Sequence, residues 1–146
     1  LYVLHPIVSP QARDFDTNEQ VEIVPATSEM SYEKIFCESS LMVTDFSGVQ
    51  FDFAYMKKPL VYLHHDAIPQ HYEEGTYHYD TMAFGEIAHN NEELIDYLCE
   101  YMKTGCKMKE NYVKRVDDFY AFHDQDNCKR IYDEERVIDK SRNRTV

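Results

Sequence analysis

The 146-residue sequence has no C-x-x-C pair, no apolar run near the roughly 18 residues of a membrane span, and only 15 basic residues against 27 acidic ones. Each shortage excludes a class of protein. Without paired spacing, Cys37, Cys99, Cys106 and Cys128 read as free thiols of a reducing compartment and not as a disulfide framework. The formal net charge of −12 argues against a nucleic-acid partner, because phosphate backbones need clustered Lys and Arg. It leaves room for one phosphorylated ligand held by backbone amides. No signal peptide, repeat or low-complexity segment is visible, so the expectation is a cytoplasmic chain that is soluble or at most peripheral on a membrane. An initiating Met is missing too. The chain opens directly on Leu1-Tyr2-Val3-Leu4, a strand-like run with no lead-in, as expected of a fragment of a longer two-domain protein.

What is present is a globular composition, 43% apolar and 14% aromatic, long enough for one domain with a real core over 1–146. Short apolar runs at Leu1 to Leu4, Leu41 to Thr44 and Leu60 to Leu63, with a weaker one at Val21 to Val24, alternate with helix-compatible stretches. That alternation predicts an α/β fold: a Rossmann-like open parallel sheet with helices on both faces and a C-terminal helical run. Ser28 to Ser39, with Met30, Ile35 and Phe36, reads as a helix, and Lys57-Lys58-Pro59 ends the next one. His64 to Gly85 has no clear period and reads as a long loop. Helices are then expected over Asn91 to Met102, capped by Asn90 or Asn91 and with Leu94, Ile95, Leu98 and Tyr101 on one face, over Lys109 to Phe122, and over Asn127 to Ile138. The tail from Lys140 is polar and expected to fray.

The most informative stretch is Leu41-Met42-Val43-Thr44-Asp45-Phe46-Ser47-Gly48-Val49-Gln50-Phe51-Asp52-Phe53. It reads as a buried strand passing through a tight turn into a helix start, with Ser47 as the cap. The amides of Gly48, Val49 and Gln50 would then face solvent at the positive end of the helix dipole, where a phosphate is favoured. The same residues also serve a plain helix start, since Ser47 with Gln50 matches a capping box and Phe46 with Phe51 a hydrophobic staple. In open parallel sheets ligands bind beyond the carboxyl ends of the strands, and both Thr44 to Gly48 and His5-Pro6 fall at such ends.

Among other candidates, His5 suits donation to a phosphate oxygen, with a structural strand-end histidine as the alternative. Asp52, an acceptor-only group, suits ribose or glycerol hydroxyls and repels phosphate, whereas Asp45 sits where it braces the turn. His64, His65, Asp66, His71 and His78 raise a metal site, but their spacing follows no helical or hairpin logic. They read better as part of a loop beside the ligand, in which Tyr72, Tyr77 and Tyr79 stack or hydrogen-bond; no metal or cofactor is expected. His123, Asp124 and Asn127 read as caps of the last helix, starting at Asp126 or Asn127. Lys129 and Arg130 either direct positive charge at a ligand or line an exposed helical face.

Taken in order, Val3-Leu4-His5-Pro6, Val43 to Ala54, Lys57-Lys58-Pro59-Leu60, the Tyr and Gly of Glu74-Gly75-Thr76-Tyr77, and Phe122 to Arg130 resemble the C-terminal half of the CDP-glycerol glycerophosphotransferases, the teichoic-acid primases and polymerases. The resemblance spans nearly the whole chain. It implies the nucleotide-donor half of a GT-B enzyme, which binds CDP-glycerol or a similar CDP-polyol and passes the polyol phosphate to a lipid-linked or polymer acceptor brought by a missing N-terminal domain. By the same resemblance, His5 and the Ser pair matching Ser47 and Gly48 lie against the donor pyrophosphate, Asp52 contacts the donor, and Asn127 and Arg130 approach the site. A histidine base would come from the other domain. Gly48 departs from the family by replacing the second Ser, which removes a hydroxyl and keeps the backbone amide. Two alternatives stand beside this reading: a GT-B glycosyltransferase with a nucleotide-sugar donor, and a non-catalytic α/β module that docks a partner through its acidic face.

Overall fold

The computed structural model describes residues 1–26, 31–67 and 75–142, with side chains as far as residue 136. The chain forms two compact units, Leu1–Ser40 and Leu41–Val146. In the first, strand β1 (Tyr2–Val3) pairs in parallel with β2 (Ile23–Val24), joined through a 3-10 helix at Ser9–Asp14 that begins with Pro10 in its first turn. The expected helix after β2 is α1 (Tyr32–Glu38), capped by Ser31, whose hydroxyl accepts the Lys34 amide at 3.2 Å. The proposed start of that helix at Ser28, and Met30 with it, lies outside the described residues.

The second unit carries the parallel order β3-β4-β5, with β3 at Met42–Thr44, β4 at Leu60–Leu63 and β5 at Gly85–Ala88. Register runs Thr44 to Tyr62 on one side of β4 and Tyr62 to Ile87 on the other. The α/β reading with parallel strands flanked by helices therefore holds. Because strand side chains alternate faces, Val61 and Leu63 point one way and Tyr62 the other. Val61 and Ala88 are fully buried with Tyr101, against Leu94, Tyr97 and Leu98 of α4 (Asn91–Lys103). On the opposite face the Tyr62 ring meets Tyr79, the first residue of the short helix α3 (Tyr79–Met82), with centroids 5.3 Å apart.

Among the described residues, the stretch read as a loop over 64–85 holds the short helix α3, and its last residue opens β5, a strand the sequence reading did not expect. Gly85-Glu86-Ile87-Ala88 has one β-branched residue and a charge, a weak local signal, and it becomes a strand because β4 offers a parallel partner. Gly85 is required there: a Cβ would sit 1.9 Å from the Leu60 carbonyl oxygen. Glu86, buried, is paid for by Tyr101 Oη at 2.7 Å and by Lys109 Nζ at 2.7 Å.

Asn90 caps α4 as expected, accepting the Glu93 amide at 2.9 Å while the Glu93 carboxylate accepts the His89 amide at 2.8 Å. Ile95, expected on its buried face, is exposed. Helices α5 (Glu110–Phe119) and α6 (Asn127–Arg142) complete the run. α5 stops short of Phe122. α6 passes Lys140, so the expected frayed tail is still helical to Arg142; 143–146 lie outside the described residues.

Candidate functional site

Thr44 is the last residue of β3, and the chain turns through Asp45 and Phe46 into α2 (Val49–Tyr55). The capping expectation fails here. Gly48, with φ −64° and ψ −19°, is the cap residue, and Ser47 contributes its main-chain carbonyl, which accepts the Gln50 amide at 3.3 Å. Gly48 already has helical angles, so the first turn closes through carbonyls and needs no hydroxyl. Of the three amides expected to face a ligand, that of Gln50 is therefore engaged, and those of Gly48 and Val49 find no acceptor among the described residues. Nor does the staple form as read. Phe46 lies flat on His64, with centroids 4.0 Å apart and planes at 13°, whereas Phe51 stacks on Phe119 at 5.6 Å. Tertiary aromatic packing outweighs the local pairing.

Beside α2 opens a cavity of about 370 Å³ lined by Phe51, Asp52, Tyr55, Tyr120, Phe122 and Asn127. Asp52 and Asn127 thus meet across it, one from α2 and one from the start of α6. Tyr120 donates its hydroxyl to the Phe51 carbonyl at 2.6 Å; burial, with the neighbouring Asp52 charge and Tyr55, pushes its pKa up to about 12. Tyr55 reaches the carbonyls of Phe122 and Asp124 at 3.4 and 3.3 Å and lies parallel to the His123 ring at 5.9 Å. His123 Nε2 is 3.7 Å from Asp117, whose carboxylate Lys57 holds at 2.7 Å and keeps below its ordinary pKa.

Arg130 ties this wall together. It donates to Asn127 Oδ1 at 2.8 Å, pairs with Asp124, and lies over Phe122. Its guanidinium holds the Asp124 carboxyl below the usual range, and Asp124 Oδ1 also accepts the Asp126 amide at 2.9 Å. The Arg130 amide donates to the Asp126 carbonyl at 3.0 Å, which fits a helix starting at Asn127 with Asp126 as its cap. Arg130 is therefore engaged within its own turn. Tyr55 and Tyr120 line this cavity and were not among the candidates read from the sequence; Tyr55 had a signal, standing three residues after Asp52 on the same helix face.

A second cavity, of about 260 Å³, lies between Phe46, Gly48, Gln50, Phe51, Tyr77 and Tyr79. It brings two of the three loop tyrosines to the turn; Tyr72, like His71, lies outside the described residues. Behind it, burial lowers the pKa of His64, outweighing the Asp45 carbonyl beside it. Of the other candidate ligands, His65 accepts the Ala67 amide at 3.1 Å and Asp66 sits 3.3 Å from His89. Among the described residues no three His, Cys, Asp or Glu side chains converge as a metal site would need.

His5 belongs to the first unit and is exposed. Its carbonyl accepts the Val8 and Ser9 amides at 2.9 and 3.0 Å, and its Nδ1 accepts the Ile7 amide at 3.2 Å. A neutral ring so held carries its proton on Nε2, which is thereby a donor.

A sequence model of the family described as CDP-glycerol:poly(glycerophosphate) glycerophosphotransferase matches residues 1–135. The minor teichoic acid biosynthesis protein GgaB of Bacillus subtilis (strain 168) is 38% identical over 138 residues, which cover 94% of this chain and 15% of that relative. The chain thus spans a small part of the relative's length. No solved structure is significantly similar to it. With the family matched over most of its length, the chain belongs to the CDP-glycerol:poly(glycerophosphate) glycerophosphotransferases.

Proposed function

We propose that this chain is the donor-binding part of a transferase that moves glycerol phosphate, or a related polyol phosphate, from a CDP-linked donor to a lipid-linked or polymer acceptor in teichoic-acid-like synthesis. The acceptor hydroxyl attacks the β-phosphorus, a new P–O bond forms, the bond to the bridging oxygen breaks, and CMP leaves. The hydroxyl proton goes to a base that a further domain supplies. Phosphoryl transfer of this kind depends mainly on positioning and on stabilising charge as it builds on the leaving group.

The observation that carries the reading is the cavity where Asp52 and Asn127 converge beside the β3–α2 turn, in a chain of this family. Asp52 accepts from ribose hydroxyls, and the Gly48 and Val49 amides with Thr44 and Ser47 meet the pyrophosphate; on the family resemblance alone, His5 is assigned as an Nε2–H donor to the departing phosphate. Arg130 acts on the site through Asn127 and Phe122. Among the described residues no helix is long and apolar enough to cross a membrane. A lipid-linked acceptor would bring the reaction to the membrane's inner face.

Calorimetric titration with CDP-glycerol, CMP and UDP-glucose tests the reading. The expected outcome is binding of CDP-glycerol in preference to UDP-glucose, with little or no turnover by this chain alone. Equal affinity for the cytidine and uridine compounds would overturn it.

A further inference from the structure

We propose that the cavity of about 260 Å³ beside Gly48 is the subsite for the hydroxyl-bearing end of the transferred polyol phosphate, with Gln50 as the residue that reads its hydroxyls. This inference rests on the donor reading above and adds the determinant of polyol recognition.

Gln50 is 2% exposed, yet only one end of its carboxamide is engaged. Nε2 donates to Tyr79 Oη at 2.9 Å, and Oε1 has no partner among the described residues. Turning the amide over exchanges the two atoms and still leaves one end unpaired. Buried polar groups without partners are uncommon, because each forfeits its hydration with no return. Two nearby hydroxyls bond other groups: Tyr77 donates to the Met82 carbonyl at 3.1 Å, and Tyr62 accepts the Phe84 amide at 3.3 Å.

The lining decides what kind of group fits. Phe46, Phe51, Tyr77 and Tyr79 supply aromatic walls, Thr76 a hydroxyl, and among the described residues no charged side chain lines the space. A phosphate or a carboxylate would be desolvated there without a counter-charge. A neutral group with C–H faces for the rings and hydroxyls for the carboxamide is matched. Phe51 lines this cavity and also the one holding Asp52. The two spaces therefore flank one side chain of the turn region. With the ribose at Asp52, the opposite end of the donor is directed toward Gln50. Gly48 lines the smaller cavity, and a Cβ there would meet nothing within 4 Å, so the space beside the turn is open.

The test compares CDP-glycerol with CDP, which lacks the polyol, by calorimetry on the chain and on Gln50→Met, a swap that keeps the volume and removes the polar end. The wild type is expected to prefer CDP-glycerol, and Gln50→Met to lose roughly tenfold for it, the effect of one neutral hydrogen bond, with CDP affinity unchanged. Tyr79→Phe, which releases the anchored end of the carboxamide, is expected to lose several-fold for CDP-glycerol alone; it decides the matter if Gln50→Met fails to fold by circular dichroism. Equal wild-type affinity for the two nucleotides, or variants that weaken both alike or neither, would overturn the polyol subsite and leave the donor reading standing. Wild-type binding of neither compound removes both.

Discussion

The guanidinium carbon of Arg130 lies 3.8 Å from the centre of the Phe122 ring. The same group bonds Asn127 and pairs with Asp124, so one planar cation fixes an aromatic wall and a polar corner of the larger cavity together. Exposed ion pairs contribute little to global stability, so the contribution of this one is geometric. Arg130→Lys keeps the charge and loses the fork and the flat stacking surface. It is expected to weaken CDP-glycerol binding by roughly threefold to tenfold with little change in Tm, and Arg130→Ala to weaken it further. Titration beside thermal melting checks this, and a Lys variant that binds like the wild type contradicts it.

Ser47 and Asn90 both stand just before helices, but only Asn90 caps one with its side chain. Asn90→Ala is expected to cost about 1 kcal/mol, since it frees the Glu93 amide. Ser47→Ala should stay within about 0.5 kcal/mol of wild type. If Ser47 touches the donor pyrophosphate, its variant instead loses affinity. Urea unfolding paired with CDP-glycerol titration separates the two effects, and a Ser47→Ala loss as large as that of Asn90→Ala would mean that the hydroxyl caps after all.

How much could be read in advance depended on whether the cause of a feature was local. β4 was legible to the residue, because Leu60 to Leu63 is an apolar run directly after a proline. α4 was legible from Leu94, Leu98 and its Asn90 cap. β5 was not: Glu86 breaks the apolar run, and it is tolerated only because Tyr101 and Lys109 arrive from later in the chain. In the candidate site, residue chemistry singled out Asp52, whereas Asn127 read as a helix cap and was drawn to the site only by the family resemblance. Their convergence depends on α6 docking near α2, which no spacing encodes. Ser47 was misread because a capping box and a turn closed by carbonyls share one sequence.

Gly85 gives the sharpest test of the sheet. Its Cα faces the Leu60 main chain so closely that Ala would place a Cβ 1.9 Å from a carbonyl oxygen, and backbone cannot rotate aside as a side chain would. Gly85→Ala must therefore separate β4 from β5, at an expected cost of about 2–4 kcal/mol. Thermal or urea unfolding reads this directly. A variant of wild-type stability would show that the β4–β5 register is wrong.

His64 sets a pH dependence in a window of its own. Burial, against Phe46 on one side and Tyr79 on another, lowers its pKa below the ordinary 6.5. The unfolded chain, with an ordinary imidazole, takes up a proton as pH falls through 6.5, while the folded chain resists until a lower pH. Between those values the unfolded state binds more protons, so stability falls as pH falls. A single fully buried proton gives about 1.4 kcal/mol per pH unit, and the partly exposed His64 ring, screened by solvent, gives less. Asp117 and Asp124, whose pKa values are lowered by Lys57 and Arg130, add losses only below their ordinary value of 3.8. Urea unfolding from pH 7 to 5 should thus show a decline in the wild type that His64→Phe, which keeps a ring against Phe46, largely removes. Parallel slopes for the two proteins over that range would place the acid sensitivity elsewhere.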